Sequence, residues 1–80
     1  MGRFESTFFS FKLAAASNVT LMVLDLFGKN VATLIDNENM QAGKHVVRFS
    51  PEKYQLPSGI YHYSLVTNKK TVTKKMVYCR

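Results

Sequence analysis

A two-residue alternation of apolar and polar side chains recurs along most of this chain and restricts its folding more than any other feature. Over residues 7–13, Phe9, Phe11 and Leu13 can face one way while Ser10 and Lys12 face the other. Successive side chains of an extended strand point to opposite faces, so this spacing predicts a strand buried on one side. Ala14-Ala15-Ala16-Ser17 is too short to nucleate a helix. Asn18, a turn former, opens a second run over 18–25 with Val19, Leu21 and Val23 as its inner face. Met22 and Leu24 imply that the outer face of this run is partly covered.

Turn chemistry punctuates the runs. Asp25-Leu26-Phe27-Gly28 predicts a tight turn, with Asp25 accepting hydrogen bonds from amides two or three residues on and Gly28 taking a positive φ. A third strand follows over 29–35, then a polar connection over 36–43 that ends in Gly43. Residues 44–49 alternate again, His45, Val47 and Phe49 against Val46 and Arg48. Two prolines make 50–59 a crossing loop with room for one 3₁₀ turn, and Leu56 is its anchor in the core. A fifth strand over 60–67 sets Tyr61, Tyr63 and Leu65 against His62 and Ser64. Asn68-Lys69 then fits a tight hairpin, Asn68 being suited to a left-handed backbone. In the last strand, 71–79, Lys74 interrupts the face formed by Val72, Met76 and Tyr78. Six to seven short strands and no convincing helix predict an all-β, immunoglobulin-like antiparallel sandwich.

At 80 residues the chain makes a single domain, 1–80, with residues 1–5 read as a linker remnant or a start added for expression. A chain of this size buries only about 60% of the surface it exposes when unfolded, so one small core must hold it. No apolar run approaches the roughly 20 residues of a membrane-crossing helix, and Met1-Gly2-Arg3-Phe4-Glu5 lacks the basic and apolar regions of a signal peptide. Cys79 is the only cysteine, which excludes an intrachain disulfide and suits a small apolar side chain. The net charge of +6 is unevenly spread. Glu5, Asp25, Asp36, Glu38 and Glu52 all precede residue 53, whereas 54–80 carries Lys69, Lys70, Lys74, Lys75 and Arg80 and no acid. Such a segment suits an acidic protein groove, nucleic acid or an anionic membrane, and lysines equally protect a strand edge from aggregation.

Catalytic chemistry finds no foothold. The acids are scattered, no serine has a base at a recognisable spacing, and no glycine-rich phosphate loop occurs. His45 and His62 are the only histidines, too few and too far apart in sequence for a metal site, so no catalytic residue, metal or cofactor is expected. Single-stranded nucleic acid would need exposed aromatics, but Phe9, Phe11, Phe49, Tyr61 and Tyr63 lie on the core phase and leave only Phe8 and Phe27 outside. Asn18-Val19-Thr20 matches a glycosylation triplet, yet Asn18 is read as a turn residue.

Four segments occur in a fixed order. They are Val19-Thr20-Leu21-x-Val23-x-Asp25-Leu26-x-Gly28-Lys29-x-Val31-Ala32-Thr33-Leu34, Ala42-Gly43-Lys44-His45-x-Val47-x-Phe49, Leu56-Pro57-Ser58-Gly59-Ile60-Tyr61-x-Tyr63-x-Leu65, and Thr73-Lys74-Lys75-Met76-Val77. Together they resemble the type IX secretion C-terminal sorting domain of Bacteroidota over roughly residues 6–80. The proline-containing link that usually precedes the first strand in that family is replaced here by Arg3-Phe4-Glu5-Ser6-Thr7.

The resemblance implies a non-catalytic domain fused to an upstream cargo. It also implies recognition by protein components of the outer-membrane translocon and by a surface sortase, with passage through the periplasm to the cell surface or medium. It places structural motif positions at Asp25, Gly28, Lys29, Gly43, Gly59 and Tyr61, and candidate translocon contacts at Lys74, Lys75, Arg80, Lys69 and Lys70. No nucleic acid and no membrane span enter this reading. The Asp-x-x-Gly-Lys and Gly-x-Tyr patterns are shared with the immunoglobulin-like module of flagellar hook-capping proteins, which leaves a structural assembly role as one alternative. An accessory binding module of a secreted hydrolase is the other.

Overall fold

The computed structural model describes residues 7–78. Its strands are β1 (Thr7–Leu13), β2 (Ser17–Leu24), β3 (Asn30–Met40), β4 (Gly43–Phe49), β5 (Gly59–Val66) and β6 (Thr71–Tyr78). All pairings are antiparallel: β1 with β4 in a two-stranded sheet, and the order β3-β2-β5-β6 in a four-stranded one. This is the expected all-β sandwich, with no α-helix among the described residues. The linker remnant at 1–5, Cys79 and Arg80 lie outside the described residues.

Alternation decides which face of each strand is buried. Val19, Leu21 and Val23 of β2 are at most 1% exposed. Across the β2–β5 ladder Leu21 meets Leu65 and Val23 meets Tyr63, which gives the large sheet one continuous apolar face. The small sheet lies over that face. The rings of Phe9 (β1) and Tyr63 (β5) are 4.5 Å apart, and Phe9 and Phe49 (β4) stack at 5.9 Å. The proline-rich crossing forms a 3₁₀ turn, Pro51–Tyr54, whose Tyr54 ring lies 5.7 Å from Phe49. Leu56 is buried just beyond it, as its place between two prolines suggested.

Three local readings change. The third strand does not stop at Ile35: residues 36–40 continue β3 against Ser17, Asn18 and Val19. These residues are mostly exposed, because they run beyond the covered part of the sheet and are held by the ladder instead of by burial. Hydrophobic periodicity carries no signal for such a segment. Register shifts interrupt the β2–β3 pairing, Asn37 takes φ 50°, and its amide donates to Thr20 Oγ1 at 3.1 Å. Secondly, Asn18 is not a turn residue but part of β2, opposite Asn39, whose Nδ2 donates to Asn18 Oδ1 at 3.2 Å. Thirdly, Asn68 does not take a positive φ, unlike Asn37 and Gln55. The hairpin has the four-residue loop 67–70, and a loop of that length is most often built around a type I turn, which needs no left-handed residue at Asn68.

Phe49 is fully buried and touches aromatic rings from β1 and the 3₁₀ turn. Phe49→Ala should therefore cost about 3–5 kcal/mol, as large-to-small aromatic truncations in a core do, which is most of the margin of a small domain. Urea titration followed by tyrosine fluorescence checks this; a loss below about 1 kcal/mol would mean that the seam is not structurally important.

Candidate functional site

The motif positions Asp25, Gly28 and Lys29 form one closed turn between β2 and β3. The Asp25 carboxylate oxygen Oδ1 accepts from the amides of Phe27 (2.8 Å) and Lys29 (2.9 Å). The backbone of Asp25 completes the turn, its carbonyl accepting from Gly28 N at 3.1 Å and its amide donating to the Lys29 carbonyl at 2.9 Å. Gly28 sits at φ 83°, a conformation that costs glycine little and other residues more. Lys29 thus enters the turn through its backbone, and its side chain is exposed. The turn holds Leu26 and Phe27 outward, 61% and 92% exposed.

Tyr61 and Gly59 occupy the start of β5 at the same pole. The Tyr61 ring is buried, and its hydroxyl donates to the Pro57 carbonyl at 2.6 Å. A tyrosine bonding back to the chain a few residues upstream at a strand start is the tyrosine-corner arrangement of immunoglobulin-like sandwiches. Burial, and then the charges of Asp25 and Tyr78, hold its phenol above the ordinary value of 10.0. Gly59 pairs with Tyr78 in the ladder, and Gly43 opens β4 at φ 121°, outside the range that residues with a side chain readily adopt. Of these positions, Asp25, Gly28 and Lys29 close the turn through backbone bonds, and Tyr61 lies in the core.

The candidate contact lysines separate into two groups. Lys74 and Lys75 are exposed in mid-strand, opposite Tyr63 and His62, so neighbouring positions send their charges to opposite faces of β6. Lys69 and Lys70 lie at the hairpin tip, about 14 Å along the strand from that pair. The tip is tightly tied. Thr67 Oγ1 accepts from the amides of Lys69 and Lys70, both at 3.3 Å, and Asn68 N donates to the buried Ser17 Oγ at 2.9 Å. Asn68 Oδ1 in turn accepts from Asn18 N at 3.3 Å. These bonds clasp the tip to the start of β2 and close one side of a cleft of about 340 Å³. Lys12 at the end of β1 also lines this cleft, together with Leu13, Ala14–Ala16 and Leu65.

His45 and His62 do not converge on any site. The His45 ring stacks on Phe11 at 5.5 Å, and its Nε2 lies 2.7 Å from the Gln41 carbonyl, which occupies that nitrogen. His62 lies in the middle of β5, opposite Lys75. Among the described residues no group of three metal-ligating side chains occurs.

Residues 5–78 match the family model described as the secretion system C-terminal sorting domain. The chain belongs to this family. No curated protein and no solved structure matches it. The family is one of sorting signals for type IX secretion, not of catalysts, and membership implies an attached upstream cargo, interaction with the secretion system and export to the cell surface or medium. No helix of the sorting domain among the described residues is long and apolar enough to cross a membrane.

Sequence reasoning did not identify Lys12 as a neighbour of the hairpin tip. Lys12 and Lys69 are far apart in the chain, and only the fold joins them. Lys44 was missed for the same reason: the β1–β4 register places it directly opposite Lys12.

The tyrosine corner makes a pH-dependent prediction. The unfolded chain releases the Tyr61 proton near 10.0, whereas the folded chain keeps it to higher pH. Folding stability should be fully present below that value and decline above it. Tyr61→Phe should cost about 0.5–1.5 kcal/mol at neutral pH through the lost hydrogen bond and flatten the alkaline decline. Denaturant midpoints measured from pH 7 to 11 check both; an unchanged alkaline slope in the variant would show that Tyr61 is not its source.

Proposed function

We propose that this sorting domain directs its upstream cargo across the outer membrane by being recognised, without catalysis, by protein components of the type IX translocon. A surface sortase then acts on the fused protein after transit through the periplasm. The observation that supports this reading is the family match over residues 5–78, nearly the whole chain. A chemical reason for recognition lies in the last part of the chain. Residues 54–80 carry basic side chains and no acid, and the tight hairpin presents Lys69, Lys70, Lys74 and Lys75 in exposed positions. Arg80 is assigned to the same recognition segment by its sequence position. The turn at Asp25 and the corner at Tyr61 hold this hairpin in place by fixing the strands beside it.

Fusing residues 6–80 behind a periplasmic reporter in a host with type IX secretion should bring the reporter to the surface or medium. Retention of the reporter in the periplasm would sink the reading. Lys74→Ala combined with Lys75→Ala should reduce export while changing stability by no more than about 0.5 kcal/mol per exposed site. A loss of several kcal/mol in thermal unfolding would instead make these lysines structural.

A further inference from the structure

The cleft at the hairpin tip is not explained by the motif residues, most of which lie at the other pole; Gly43, opposite Leu13, is the exception. Thr7 begins β1 and pairs with Phe49, so the chain enters β1 near the Asp25 turn and the start of β5. Six residues later, about 20 Å along the strand, β1 ends at Leu13 in the cleft wall. The cleft therefore faces away from the point where upstream sequence joins the sandwich.

Its composition is one-sided. Lys12, Lys69 and Lys70 line it, and no carboxylate does. Lys44 stands opposite Lys12 across the ladder, a like-charged pair that disfavours the fold unless an anion relieves it. Asp36 and Glu38 sit on β3 and do not reach the lining. Beneath the lysines the walls are apolar, built from Leu13, Leu65 and the alanine loop. A volume of about 340 Å³ admits one or two side chains; an α-helix, about 10–12 Å across, is too wide.

The donors present favour carboxylates over phosphate. Phosphate sites draw on free backbone amides or on the planar fork of arginine. Here the amides of Asn68, Lys69 and Lys70 are already spent on Ser17 and Thr67 hydroxyls, and no arginine lines the cleft. What is left is a set of separate ammonium groups around an apolar floor. We propose that this cleft docks an acidic, extended protein segment, with carboxylates meeting Lys12, Lys69 and Lys70 and one apolar side chain entering between Leu13 and Leu65. This proposal deepens the sorting reading and rests on it for placing that segment in the secretion machinery.

The test uses the 80-residue chain and a peptide whose single leucine is flanked on each side by two glutamates. Amide chemical shifts should move at residues 13–17 and 67–70, and the glutamine counterpart of the peptide should leave them unmoved. Lys69→Glu with Lys70→Glu, both at exposed positions, should weaken binding by roughly tenfold or more, and added salt should do so too. Lys12→Gln is a milder variant that should weaken it by a smaller factor without lowering the thermal midpoint, since it also relieves the repulsion from Lys44. The proposal is overturned if the glutamine peptide binds as well, if the shifts centre on Lys74 and Lys75, or if inorganic phosphate moves the same amides at lower concentration. It is equally overturned if phosphatidylglycerol vesicles capture the chain through Lys69 and Lys70 while the peptide does not. Export separates the two readings. If the wild-type fusion stays in the periplasm, the sorting reading fails whatever the cleft binds. If the wild-type and Lys69→Glu, Lys70→Glu fusions are exported equally well, the cleft proposal fails and the sorting reading stands.

Discussion

The aromatic seam of Phe9, Phe49 and Tyr63 joins two unequal sheets, and the rest of the structure depends on that joint. A two-stranded sheet is at best marginally stable in water, because it has too little apolar surface to bury. β1 and β4 are separated by two strands in sequence and pair as strands only with each other among the described residues. Their position is therefore fixed by what their inner faces touch. Those faces supply Phe9, Leu13 and Phe49 to the core, and the large sheet supplies Val19, Leu21, Val23 and Tyr61. Tyr54 and Leu56 close the open side from the crossing loop.

How much of this was legible in the sequence depended on whether burial or the ladder held a segment. β2 was plain, since Val19, Leu21 and Val23 alternate strictly and all three are buried. The Asp25 turn was plain too, because its bonds are local and use residue types with few other reasons to occur together. The tail of β3 was invisible. Its stability comes from backbone pairing to β2, and its polar side chains match those of a loop. Register shifts there make the difficulty worse, since each inserted residue moves the following side chains to the other face. The basic cleft could not be read for a different reason: it is made of residues that meet only once β1 and the final hairpin share one pole.

The two poles of the sandwich carry different kinds of order. At one, Asp25, Gly28, Tyr61 and Gly59 hold the backbone through hydrogen bonds and special dihedral angles. At the other, Ser17, Thr67 and Asn68 do the same work with hydroxyl and amide side chains, and here the charges gather. The motif positions read from the sequence lie mainly at the first pole. A residue pattern shared across a family is most visible where the chain demands a particular residue for local geometry. A surface that selects a partner by charge can be built from lysines at many positions, and leaves a weaker pattern.

This division bears on the proposed recognition of the sorting domain through its exposed lysines. Recognition by exposed ammonium groups needs little shape of its own, but it needs those groups held at fixed separations, since the entropy of ordering long side chains offsets much of what exposed charges gain. The tip supplies part of that order, in the backbone from which the side chains branch. Lys69 and Lys70 branch from a loop whose amides are tied to Thr67, and the neighbouring Asn68 is bonded to β2. The backbone that carries them is thus tied to the sandwich.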